Sequence, residues 1–216
     1  MEILVFSTYI IAFILAVIMH EIAHGFVANY FGDDTARISG RLSFNPIVHI
    51  DPIGSVLVPL MLVLSGSGFL FGWAKPVPVN PFRLKGGAIS YRYVTLAGIV
   101  TNIILAVISA LILKFTTQLM GFGYNNLGVI FFTVFLQINL VLAIFNSLPL
   151  PGFDGYNFLA TFRPIAELIR KTPLANPIFM AQYGLFISLL LIFVFSSYIG
   201  YLFNLFFGLF LRFFGL

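Results

Sequence analysis

An all-α membrane protein with several spans is the fold this sequence predicts, and two observations predict it. The 216 residues are 60% hydrophobic and only 8% charged, against about 25% charged in soluble domains. The apolar residues gather in five long stretches, several of them at or beyond the ~20 residues that a spanning helix needs. We expect a bundle of about five to six transmembrane helices, with a short β-strand or re-entrant element after the first helix. Residues 1–216 read as a single membrane-embedded domain, because too few polar residues remain for a separate soluble one. There is no cysteine, which excludes disulfides and thiol catalysis. The net charge of +4 is better read as basic loops at one membrane face than as a nucleic-acid surface.

The first stretch runs from about Ile3 to Phe31, with no charge between Ile3 and Met19. It lacks a basic leader, so a cleaved signal peptide is not expected. Gly32 to Pro52 is mixed, and the loose alternation over Thr35–Ser43 predicts a short strand or hairpin. The second stretch, Ile53 to Trp73, is interrupted by Pro59 and by Ser65-Gly66-Ser67-Gly68. A proline-rich extended loop follows, with Pro76, Pro78 and Pro81. The third and fourth stretches are about Tyr91–Leu119 and Leu127–Leu148, and Pro149 and Pro151 break the end of the fourth. The fifth, Pro177–Leu216, is long enough for two helices, with a break expected at Ser196–Gly200.

Charge decides how the second stretch is expected to run. The basic residues are Arg37, Arg41, Lys75, Arg83, Lys85, Arg92, Lys114, Arg163, Arg170, Lys171 and Arg212. If every stretch spans, Arg37, Arg41 and Lys114 face one side and the other eight face the opposite one. If the second stretch dips in and returns, ten share a side and only Lys114 is opposite. The stronger bias favours the re-entrant course. The N-terminus is then outside, and the loop after the first helix is cytoplasmic.

Within the first apolar stretch stands His20-Glu21-Ile22-Ala23-His24. Histidines at i and i+4 share one helix face and can hold one zinc ion, with the intervening glutamate as general base. The pattern arises by chance on many soluble helices. Three ionisable groups on one turn of a membrane helix are costly, however, and call for a function. A catalytic zinc needs a third protein ligand. That ligand must be His49, the one remaining histidine, or an acid: Glu2, Glu21, Asp33, Asp34, Asp51, Asp154 or Glu167. Asp154 stands out because Pro149 and Pro151 unwind the chain before it and Gly152 and Gly155 allow tight turns around it. Taken alone, Asp154-Gly155 would be an ordinary turn.

Together, His20–His24 and Asn146-Ser147-Leu148-Pro149-Leu150-Pro151-Gly152-Phe153-Asp154-Gly155 resemble the site-2 protease family of intramembrane zinc metalloproteases. Asn45–Gly54, Gly72–Asn80 and Ala97-Gly98 through Asn102 are similar to a compact prokaryotic branch of it. The resemblance covers about residues 15–160. It implies one Zn2+ per chain held by His20, His24 and Asp154, and Glu21 as the base that takes a proton from water and passes it to the leaving amine. It implies that Asn146 contacts the substrate backbone or polarises the scissile carbonyl. The implied activity is hydrolysis of peptide bonds in or near transmembrane segments. The protein would be a multi-pass protein of a prokaryotic cell membrane, with a transmembrane protein substrate and the lipid bilayer as partners and no nucleic acid. Oligomeric state is open. Neither a PDZ nor a nucleotide-sensing domain is recognisable in these residues.

Simpler roles exist for several of these residues. Asn146 can cap or bridge helices, His49 can be an interfacial structural histidine, and Asp51-Pro52 can cap the next element. Asn102 reads as a helix-packing contact that could also face the cavity. Two other functions compete: a catalytically silent relative that binds membrane proteins, and a metal or ion transporter. The first has no need of Glu21, and the second would spread acids and histidines over several helices.

Overall fold

The computed structural model describes residues 2–65, 72–123 and 125–215. Among them it is all-helical. Helix α1 is Glu2–Tyr30, α2 Thr35–Ile38, α3 Val58–Leu64, α4 Ala88–Lys114 and α5 Leu127–Asn146. Two short helices follow, α6 Asp154–Leu159 and α7 Arg163–Arg170, and then α8 Pro177–Val194 and α9 Ser196–Phe214. Four helices are long and apolar enough to cross a membrane, or five if α8 counts as one span across its 51° bend. Large side chains such as Ile3, Phe6, Leu111, Phe193 and Phe213 stay exposed along them, as lipid-facing residues do. The chain is a membrane protein.

Helices α1, α4 and α5 form the centre. Ala12 and Ala16 of α1 pack on Val134 and Phe135 of α5, and small residues four apart let the backbones approach closely. Farther along, Ala106, Ala110 and Leu113 of α4 meet Val129, Leu136 and Leu140 of α5, with Phe207, Phe210, Leu211 and Phe214 of α9 packed against them. Asn126 caps α5 by accepting from the Gly128 amide at 2.9 Å. Asn176 caps α8 at the Ile178 amide, 2.9 Å away, with Pro177 in the first helical position.

Two sequence expectations need correcting. Thr35–Ile38 is a turn of helix, and no strand occurs among the described residues. Asp33, Asp34 and Thr35 satisfy this segment locally, so its alternation never meets a partner strand. The expected five to six spans compare with four such helices, or five with the bent α8. Finally, the charge split is not ten to one. Gln118 Nε2, just beyond α4, donates to Gly215 O at 2.8 Å. The end of α9, with Arg212, therefore lies at the end of the bundle that carries Lys114, and 11 − 2 leaves nine basic residues elsewhere. Two full spans in residues 177–215 would have returned the chain to its starting end. The break itself falls at Phe195, just before the expected Ser196–Gly200.

The second apolar stretch turns back on itself. A wide helical turn, Pro52–Leu57, leads into α3. These 13 helical residues would reach only about 20 Å, short of the ~30 Å hydrocarbon core. The expected break at Gly66-Ser67-Gly68 lies outside the described residues. The Trp73 amide donates to Gly54 O at 3.1 Å, and Ser55 Oγ donates to Trp73 O at 2.8 Å. Entrance and exit thus lie side by side.

The flanking loops are also bonded to each other. The Asn80 amide donates to Asp33 Oδ2 at 2.6 Å, Arg83 pairs with Asp34 at 2.5 Å, and Arg41 Nη2 donates to Lys75 O at 2.6 Å. Asp33 is fully buried. Burial disfavours its charge, yet the Thr35 hydroxyl, the Asn80 and Thr35 amides and the nearby Arg83 guanidinium hold its carboxyl below the usual range.

Candidate metal centre

Two histidines one helical turn apart are what α1 contributes, and the other elements decide how their rings sit. Both rings are largely screened from solvent, with side-chain exposures of 8% for His20 and 12% for His24. His20 Nδ1 lies 2.6 Å from Asn102 Oδ1. His24 Nδ1 lies 2.7 Å from the Val94 carbonyl. Both partners are on α4, and both oxygens can only accept. Each Nδ1 therefore carries the ring proton, and each Nε2 presents a lone pair. The two Nε2 atoms face one another at 3.0 Å. With no proton between them, that contact is repulsive unless a cation takes both lone pairs.

Asp154 completes the group from the other side. Past α5, the Pro149–Phe153 segment turns the chain so that α6 begins at Asp154. Its Oδ2 lies 3.2 Å from His20 Nε2 and 3.3 Å from His24 Nε2. That oxygen is buried and accepts no hydrogen bond, as expected when both nearby nitrogens are lone-pair atoms. Bonds of about 2.0–2.2 Å in a tetrahedral zinc site imply ligand–ligand edges of roughly 3.3–3.6 Å. The observed triangle of 3.0, 3.2 and 3.3 Å lies within a few tenths of an ångström of that. Two nitrogens, one carboxylate oxygen and an open fourth position are the donor set of a catalytic zinc. Among the described residues these three form the one group of histidines and acids that could hold a metal ion.

Two glycines permit the approach. A Cβ on Gly98 of α4 would fall on the His20 ring, and one on Gly155 would fall on the carbonyls of Ser147 and Leu148. Only glycine lets α4 lie this close to His20 and lets α6 fold back on the end of α5.

Glu21 stands outside the ligand triangle. Its Oε2 accepts from the Val77 amide at 2.8 Å. Val77 lies in the extended segment between Pro76 and Pro78, neither of which has an amide proton to offer. Asn146 is half-buried and folds back on its own helix, where Nδ2 donates to Leu142 O at 3.0 Å. His49 is buried away from the histidine pair and donates from Nε2 to Ser43 O at 2.8 Å. Asp51 caps the turn that follows it, accepting from the Ile53 and Gly54 amides at 3.0 and 2.7 Å. Sequence reading passed over Asn139, a fully buried residue on α5, and assigned Asn102 mainly to packing. The available signal was an asparagine amid apolar residues on each of two spans.

Comparison with known proteins gives this arrangement its context. The chain is 39% identical over 185 residues to "Putative zinc metalloprotease YwhC" of Bacillus subtilis (strain 168), covering 83% of this chain and 80% of that protein. It is 32% identical over 157 residues to "Putative zinc metalloprotease Rip2" of Mycolicibacterium smegmatis, and 31% over 153 residues to the Rip2 of Mycobacterium tuberculosis strain Erdman. Those matches cover 72% and 70% of this chain, and 57% and 56% of the Rip2 proteins. No family model and no solved structure matches. The implied cofactor, Zn2+, agrees with the donor set, since one neutral imidazole pair and one carboxylate suit zinc. On the strength of the YwhC similarity, which spans most of both proteins, this chain belongs to the site-2 protease family of zinc metalloproteases.

Proposed function

We propose that this protein is a zinc endopeptidase that hydrolyses peptide bonds in or near transmembrane segments of membrane proteins. His20, His24 and Asp154 hold the metal, Glu21 is the general base, and Asn146 contacts the substrate. The observation that carries this reading is the fixed protonation of the histidine pair: two Nε2 lone pairs and an unpartnered carboxylate oxygen converge on one point. Bound zinc supplies a Lewis acid and brings water in its open position to a pKa near 7.

The protein's own residues do the rest. Glu21 lies one residue from His20 on the same turn and is not needed as a ligand. It takes the proton from the attacking water and delivers it to the leaving amine. The hydrogen bond from the Val77 amide leaves its other carboxylate oxygen available for that transfer. Asn146 takes part once its amide turns away from Leu142 O, which places its donors at the substrate backbone. A relative that only binds membrane proteins has no use for a carboxylate in the place of Glu21. A transporter would need further ionisable groups along a path, whereas α5 offers only amides and a hydroxyl and the charges of α4, Arg92 and Lys114, stand in its first two turns and at its last residue.

In the orientation we favour, the N-terminus is outside and the Asp33–Arg83 end of the bundle is cytoplasmic, where most basic residues lie. His20 is then roughly 26 Å along a helix that begins near Ile3, nearer the cytoplasmic face. The substrate is a single transmembrane helix, cut in its cytoplasmic half where glycine, proline or asparagine weakens the helix and exposes a carbonyl. The extended segment through Trp73–Pro78, beside Glu21, is the edge along which such a chain would lie.

The test is zinc content of the purified protein together with cleavage of single-span substrates, with and without chelator. Metal at one equivalent and chelator-sensitive cleavage are expected; metal-free protein that still cleaves would refute the reading. Orientation is checked separately. Single cysteines at Ser39 and Phe82 should label from the same side of intact cells, and opposite-side labelling would rule out the re-entrant course.

A further inference from the structure

Two buried asparagines form a column that runs from α5 through α4 to His20. Asn102 and Asn139 have no exposed surface. Phe135 O, a backbone carbonyl, accepts from Asn139 Nδ2 at 2.7 Å. Asn139 Oδ1 accepts from Asn102 Nδ2 at 2.8 Å. Asn102 Oδ1 in turn lies 2.6 Å from His20 Nδ1.

The direction of every bond in this column follows from its first member. A backbone carbonyl can only accept, so the Asn139 amide must present its nitrogen to Phe135 O and its oxygen to Asn102. Asn102 must then answer with its nitrogen, which turns its oxygen toward His20. His20 must meet that oxygen with Nδ1–H, and this leaves Nε2 bare for the metal. A carboxamide turned round at either position would put two oxygens or two N–H groups face to face. Between side chains with no exposed surface that leaves buried polar groups unsatisfied.

We propose that Asn102 and Asn139 are positioning residues which act in series, holding His20 in the one tautomer and ring orientation that can bind zinc. The proposal rests on His20 being a zinc ligand. It goes beyond that assignment by naming a residue, Asn139, that touches neither the metal group nor His20. Its role differs from helix packing because only the column's directionality, and not its volume, reaches the metal. His24 has a shorter arrangement, since the Val94 carbonyl is itself fixed by the α4 backbone. His20 needs two side chains to reach an equally fixed carbonyl.

The experiment measures zinc affinity of the purified full-length protein by competition with a chromophoric chelator. The visible spectrum of the cobalt-loaded protein is a second readout. Asn102→Leu and Asn139→Leu keep volume and lose directionality. Each is expected to weaken zinc binding about ten- to hundredfold, the usual loss on removing a metal ligand's hydrogen-bond partner, and to shift the cobalt bands. Asn139→Ala removes the acceptor for Asn102 Nδ2 without adding bulk and should weaken zinc binding by a similar factor. Ser109→Ala alters another buried polar residue of α4, whose hydroxyl only bonds Leu105 O, and should change nothing. Parent-like affinity in Asn102→Leu or in Asn139→Leu overturns the proposal. If neither leucine variant folds, Asn139→Ala decides alone, and parent-like affinity there overturns it. Failure of the parent protein to bind zinc at all would instead refute the metal-site reading.

Discussion

The metal group and the loop bracket at the end of the bundle are both built from buried polar contacts, yet they are built differently. Around His20 and His24 the partners are neutral: two side-chain amides and a backbone carbonyl. Around Asp33 and Asp34 they are a hydroxyl, amides and exposed guanidinium groups. Deep among apolar helices no water can substitute for a lost partner, so each polar group fixes the next and direction is transmitted. At the bundle end, water competes for the outer members, and the bracket holds two loops together and favours an ionised Asp33. Substitutions in the first region should therefore change chemistry, and those in the second should change stability.

The largest effect is expected from Glu21→Gln. The amide keeps the size and loses the basicity, so turnover should fall at least 10²–10⁴-fold with zinc still bound at one equivalent. Appreciable cleavage by this variant would remove Glu21 from the role of base. Next comes the choice of third ligand. Asp154→Ala should lower zinc affinity and activity together, whereas His49→Ala, whose ring bonds Ser43 O away from the site, should leave zinc in place. The opposite pattern in chelator competition would reassign the ligand.

A smaller loss is expected from Gly98→Ala, which adds one methyl against the His20 ring. Zinc affinity should drop on the order of tenfold, as when a ligand's orientation is disturbed. An unchanged affinity would mean that α4 can retreat without cost.

The bracket sharpens the comparison from the other side. Asp33→Asn should cost about 1–3 kcal/mol in unfolding and leave metal content unchanged. The Asp33 carboxyl is held below its usual range when folded. Its stabilisation is therefore fully present above the unfolded value of ~3.9 and is lost as pH falls through the folded value. Thermal unfolding followed between pH 3 and 7 should show the variant's deficit shrinking as pH drops. Arg83→Ala should cost less than about 1 kcal/mol, because its partner Asp34 and its own guanidinium are both substantially exposed.

Much of this centre is legible before any folding. His20, Glu21 and His24 announce themselves by a four-residue spacing inside an apolar stretch, and Asp154 by the proline and glycine punctuation ahead of it. Thr35–Ser43 misleads because its alternation suggests a strand, while Asp33 and Asp34 organise the same residues as a helical turn. Arg212 misleads because the length of residues 177–216 permits two full crossings, while the contact between Gly215 and Gln118 sets the last turn of α9 beside the end of α4.

Alone, then, the sequence determined the apolar segments, the histidine pair and the acid motif, because these depend on spacing along one helix or one turn. Tertiary structure decided that Asp154 rather than His49 meets the pair, that both Nδ1 atoms face acceptors on α4, and that Asn139 stands behind Asn102. The reason is physical. A helix that is apolar on every side carries no periodicity to disclose its neighbours, and the acceptors that set a histidine's tautomer lie about 70–80 residues away along the chain.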